Sequence, residues 1–133
     1  MKKYILLVIK IIVAIILIQT LYFKFSASAE SVYIFEKLGI EPIGRIGSGI
    51  TELIASILLF FDKTKFYAAI TATGTMFVAL MSHLFILGIE VMNDGGTLFI
   101  LALLTFVLSS LLSMNYVSDL KKLNNKMINS FFK

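Results

Sequence analysis

The sequence predicts an all-α membrane protein: a four-helix transmembrane bundle, up-down-up-down, with a short interfacial helix in its first outer loop. Three observations predict it. Hydrophobic residues make up 59% of the chain and the mean hydropathy is +0.95, so too little polar sequence remains to cover a soluble core. Four apolar segments, 4–23, 43–61, 66–89 and 97–114, each approach the roughly twenty residues that cross about 30 Å of hydrocarbon. The connections between them are short, which makes consecutive helices antiparallel neighbours. All 133 residues then form a single integral membrane domain, 1–133.

The net charge of +4 is explained by position along the chain. Lys2, Lys3, Lys63, Lys65, Lys121, Lys122, Lys126 and Lys133 fall in the N-terminus, the second connection and the C-terminal tail. Lys24, Lys37 and Arg45 lie at or near the first connection, and the third has only the acidic Glu90 and Asp94. The positive-inside rule puts both termini and the Asp62–Lys65 turn in the cytoplasm, and no nucleic-acid partner is expected. With no cysteine, the chain has no disulfide, thiol chemistry or thiolate metal site of its own. No metal is expected, and any redox role needs a bound cofactor or a partner.

The first segment, from Tyr4 to Phe23, is too long for the apolar region of a secretory signal, although Ser26-Ala27-Ser28-Ala29 imitates a cleavage site. Lys10 interrupts it about two turns in, where its stem can snorkel to the headgroups. At the far end, Tyr22, Phe23, Lys24 and Phe25 read as an interfacial belt, while Gln19 sits deeper and suits an interhelical hydrogen bond. From Ser28 to Leu38, Val32, Phe35 and Leu38 recur opposite Glu36 and Lys37, so a short helix should lie on the outer interface. Ser28 suits its N-cap and Gly39 its stop.

The second segment, PIGRIGSGITELIASILLFF, carries Arg45 and Glu52 through an apolar run. A membrane helix tolerates such groups where they face protein, a partner or water. Arg45, Gly49, Glu52 and Ser56 share one stripe at helical spacing. Gly44, Ser48, Thr51 and Ala55 form a second stripe of small residues on which a neighbouring helix could pack closely. Gly44-x-x-Gly47-x-Gly49 inside an apolar helix is therefore a packing motif rather than a phosphate loop. The third helix places Ala72, Met76, Ala79 and His83, the only histidine, on one face toward the bundle. The fourth places Ala102, Thr105, Ser109 and Ser113 on one side. The basic, Asn-rich tail after Asn115 reads as a solvated or membrane-surface end.

At about 1.5 Å per residue, Glu52 lies roughly 13 Å below the outer surface and His83 roughly 9 Å, with Gln19 similarly deep. Gln19, Arg45, Glu52 and His83 are thus expected around one outward-facing polar pocket, with Lys24 at its rim. The bland alternative is a structural network in which Glu52 pairs with His83 or Arg45 and fixes helix register.

Three stretches, Gln19-Thr20-Leu21-Tyr22-Phe23-Lys24-Phe25, Phe35-Glu36-Lys37-Leu38-Gly39 and Gly44-Arg45-Ile46-Gly47-x-Gly49-x-x-Glu52-Leu53, precede a histidine late in the third helix. In these the chain resembles the DoxX-like family of small bacterial inner-membrane proteins. The resemblance implies four transmembrane helices in the bacterial cytoplasmic membrane. Some relatives are membrane subunits linked to thiosulfate oxidation with quinone as acceptor, and others join complexes for oxidative or thiol stress. The absence of cysteine argues against direct thiol or sulfur-transfer chemistry, while an apolar pocket holding a carboxylate, an imidazole and an amide could still bind a quinone head.

The leading expectation is a non-catalytic accessory protein of a redox or envelope-stress system that holds a quinone-like or small polar ligand. The alternatives are a small-solute or proton-coupled transporter with Glu52 and His83 as a relay, and a purely structural interaction module. A membrane-protein partner or a homodimer through the Gly- and Ala-rich faces fits any of them. An enzyme reading is weakest, because no nucleophile stands with a base.

Overall fold

In a computed structural model, which describes residues 2–133, the chain folds into five helices. They are α1 (Lys2–Phe25), α2 (Ala29–Lys37), α3 (Ile43–Leu58), α4 (Lys65–Ser82), which widens into a π turn at His83–Leu87, and α5 (Thr97–Phe131). No strand occurs among the described residues. Three helical stretches are long and apolar enough to cross a membrane: α1, α4 with its π turn, and α5. Their outward faces are dense with exposed Ile, Leu, Val and Phe, a surface suited to lipid rather than water.

The fourth expected span, 43–61, is shorter than anticipated, since α3 has only 16 residues and ends at Leu58. The cause is local. The amides of Phe60 and Phe61 bond to Ile57 and Leu58, three residues back, which tightens the chain into a turn. The Thr64 hydroxyl then donates to the Leu58 carbonyl at 2.9 Å, satisfying an acceptor that the ended helix leaves free. In contrast, the fourth segment runs past its expected limit at 114, and α5 continues helically to Phe131. Asn and Lys did not stop it, because neither Gly nor Pro occurs after Gly96.

The short outer helix is capped by Ser28, whose hydroxyl accepts from the Ser31 amide at 3.3 Å, and Gly39 follows it with φ 78°, a left-handed conformation that favours glycine. Phe35 and Ser31 are its buried residues.

The four longer helices pack in a closed ring: α1 against α3 and α5, and α4 against α3 and α5. At the end bearing the Asp62–Lys63 turn the ring is filled. Val13, Leu17, Leu59, Ala68, Ala69, Ala72, Met76, Leu112 and Tyr116 form a continuous apolar cluster there. Small residues bring α4 and α5 close enough for Thr73 to donate to the Ser109 hydroxyl at 3.0 Å. At the opposite end larger polar groups stand between the helices, α2 lies across the gap, and a cavity remains.

Candidate functional site

The cavity holds about 470 Å³ and is walled mainly by apolar side chains of α1, α2, α4 and α5, among them Leu17, Phe35, Met76, Leu98 and Leu101. Its titratable groups come from five places: Lys24 of α1, with Thr20 beside it, Glu30 of α2, Glu52 of α3, His83 of the π turn, and Asp94 of the loop before α5. Gln19 also reaches its edge but is otherwise exposed.

On α3 the stripe Arg45, Gly49, Glu52, Ser56 faces inward and is buried, together with Ala55. Of the small-residue stripe, Gly44 and Ser48 are half-buried and Thr51 is exposed, its hydroxyl donating to Gly47 of its own helix. Beside it Gly49 is the close-approach position: a Cβ there would come within 2.8 Å of the Phe25 ring. On α4, Ala72 is buried and Ala79 half-buried.

Glu52 is 2% exposed, and both its oxygens are occupied. Lys24 donates to Oε1 at 2.5 Å and Thr20 to Oε2 at 2.9 Å. Neither Arg45 nor His83 is bonded to it. Lys24 also offers its backbone carbonyl to the Arg45 guanidinium, which pairs with Glu41 through Nε at 2.9 and 3.1 Å. The chain therefore carries two linked ion pairs, and only the first lines the cavity. Arg45 stands outside it, holding the end of α1 against the start of α3.

His83 is 5% exposed and lies across the cavity from this pair. Its Nδ1 is 2.9 Å from the Gly88 carbonyl, so Nδ1 carries the proton when the ring is neutral, which leaves Nε2 free to accept. The edge of the ring meets Phe99 at 5.7 Å between centroids. The π turn and Gly88, at φ 80°, bend that carbonyl back to the imidazole.

Asp94 is the polar group at the cavity that helix periodicity could not reveal. Its Oδ1 accepts from the Val91 and Gly96 amides at 3.0 and 2.8 Å, and Oδ2 from Leu98 at 3.1 Å, so it caps α5 from two residues before Gly96. Burial pushes its carboxyl up, but these three amides and nearby His83 outweigh that and hold it below the usual carboxylate range. Its signal was available as Asp-Gly-Gly-Thr immediately before an apolar helix. Thr20 likewise sits four residues before Lys24, on the same face of α1.

A buried ammonium–carboxylate pair, an imidazole with a free acceptor nitrogen and a largely apolar wall can bind and orient a molecule with an apolar body and one or two polar atoms. The Lys24 ammonium has protons left after bonding Glu52, so the site offers a charged donor on one side and the His83 ring on the other. Comparison with curated proteins and with solved structures finds no match. The model of the family described as DoxX matches residues 5–88, which run from the first turn of α1 through α2, α3 and α4 to Gly88 and contain every titratable cavity group except Asp94. The chain belongs to the DoxX family.

Proposed function

We propose that the protein is a multi-pass inner-membrane accessory component of a bacterial redox or envelope-stress system. In this reading it binds a quinone-like or small polar ligand in the outer cavity and performs no bond chemistry itself. The carrying observation is a cavity of about 470 Å³ that is largely apolar yet has Lys24, Glu52 and His83 on its walls. A mostly apolar cavity with a few convergent polar groups is the usual form of a small-molecule site, which favours a ligand here. In this reading α3 is the fourth span, both termini are cytoplasmic and the cavity faces outward, in keeping with the distribution of lysines.

One observation favours a structural role instead: both oxygens of Glu52 are already satisfied by Lys24 and Thr20. Titrating the purified protein in nanodiscs with a short-chain quinone, with melting temperature as the readout, separates the two. A ligand at about a hundred times its Kd stabilises the folded state by about 2.7 kcal/mol. The expected result is a saturable rise in the parent protein that disappears in Leu101→Trp, which fills the cavity. A rise of equal size in that variant would place any binding elsewhere. No rise for the quinone or for any molecule co-purified from native membranes would leave the polar groups as structural glue.

A further inference from the structure

Among the described residues, none covers the last turns of α5. Thr97 to Met114 already spans about 27 Å, yet the helix runs roughly 25 Å further. Over that extension Tyr116, Leu120, Leu123, Met127 and Phe131 recur at i, i+4, i+7, i+11 and i+15, a single apolar stripe. It continues the face of α5 that is buried in the bundle at Thr105, Ser109, Leu112 and Tyr116. Tyr116 is 2% exposed, but Met127 is 57% and Phe131 83% exposed, so the stripe leaves the bundle and goes on uncovered. Ser118, Lys122, Asn125 and Asn129 occupy the opposite side, with Lys121, Lys126 and Ile128 on the flanks.

We propose that residues 116–133 form an amphipathic membrane-surface helix that binds the anionic phospholipid headgroups of the leaflet at the Lys63–Lys65 end of the molecule. Charge selects that occupant. Four lysines face one aspartate in this stretch, and Asp119 is itself paired with Lys65 at 3.2 Å. Lys10 of α1 lies 5.8 Å from the centre of the Tyr116 ring, so Lys2 and Lys3 are at the same end. A second copy docking along the stripe would bring two such basic ends together, whereas acidic headgroups neutralise them. An apolar face with lysines on the other side is the composition that lies in the headgroup boundary, and that boundary is where α5 emerges. The Asn115 amide and Ser118 hydroxyl donate to the carbonyls of Leu111 and Asn115, at 2.8 and 3.0 Å. Such back-bonding eases a bend of the helix at the level where it must turn onto the surface.

The absence of cysteine allows a direct test on the full chain. Met127→Cys and Asn125→Cys, each labelled with an environment-sensitive fluorophore, are compared in nanodiscs of phosphatidylcholine alone and with one-third phosphatidylglycerol. The expected result is that the label at 127 becomes apolar and quenchable by lipid-borne quenchers in the anionic discs only, while that at 125 stays in water. Adding Lys121→Glu, Lys122→Glu and Lys126→Glu should release the label at 127, each lysine contributing about fivefold to the surface equilibrium. Three results would overturn the proposal: a label at 127 that remains aqueous in anionic discs, equal burial of both labels, or burial independent of lipid charge with coupling between labels on two copies. Retained helicity and cavity-side melting behaviour confirm that each variant is folded, since the changes lie beyond the bundle.

Discussion

Glu52, Lys24 and Thr20 show how a charge is accommodated inside the helix ring. Removing one partner of a buried pair leaves the other uncompensated, which costs about 3 kcal/mol or more, but the two sides of this pair are unequal. The Lys24 side chain is 16% exposed and can swing toward water, whereas Glu52 at 2% cannot. Lys24→Met should therefore lower the melting temperature more than Glu52→Gln, and the double variant should recover part of the loss. Equal single effects, or strict additivity, would show that the pair is not energetically linked. Asp94 gives a second residue-scale expectation. Its folded carboxyl is held below the unfolded value of about 3.9, so its stabilisation is complete above that range and is lost as pH falls through the lowered value. Asp94→Asn should cost about 1 kcal/mol at neutral pH and flatten the acid limb of the stability profile, read by thermal melts between pH 2 and 6. The inward stripe of α3 was legible from spacing alone, because 3.6-residue periodicity fixes which residues share a face. Which residue Glu52 would meet was not, since periodicity within one helix says nothing of its axial register against another. Lys24, read as an interfacial anchor, reaches down to the carboxylate from α1.

Element by element, the helices were legible where apolar runs are long and the ends where hydrogen-bonding side chains mark them. Ser28 announced the start of α2, but the early end of α3 rests on a tight turn at Phe60 and Phe61 and on Thr64 reaching back six residues, a local arrangement with no sequence signature. The tail was read as solvated from its lysines and asparagines, although those residues tolerate a helix and the apolar stripe among them keeps helical spacing. For α2, the consequential residue is Phe35. It is 9% exposed, its ring lies 6.0 Å from the Lys24 ammonium, and it lines both the main cavity and a smaller one between α3 and α4. Phe35→Ala should cost about 3 kcal/mol and make the first loop protease-sensitive. Lys37→Asp, at an exposed position whose ammonium donates to the Tyr33 hydroxyl, should leave both melting and cleavage nearly unchanged. Comparable cleavage in the two variants would mean that α2 is not anchored through its apolar side.

The whole molecule joins helices of very unequal length. For α3 to be the fourth span, reporter fusions after Gly39 and after Lys63, which flank it, must report opposite sides of the membrane, and matching signals would reduce the crossings to three. At 16 residues α3 extends about 24 Å, whereas α1 with 24 residues extends about 36 Å and must be held beside it by Lys24 and Arg45. Tilting brings a long helix into a thin layer, but nothing stretches a short one across a thick layer. If α3 is the fourth span, the bilayer must instead thin around it, or its flanking residues must reach outward, at a fraction of a kcal/mol per Å. As a fourth span, α3 would match the protein to lipids with short acyl chains. Reconstitution in lipids of 14, 18 and 22 carbons should give the highest melting temperature at 14 and a steady decline thereafter, and a flat series would show that α3 does not set the fit. A cell that lengthens its acyl chains would strain this helix before any other, at the wall that carries Glu52.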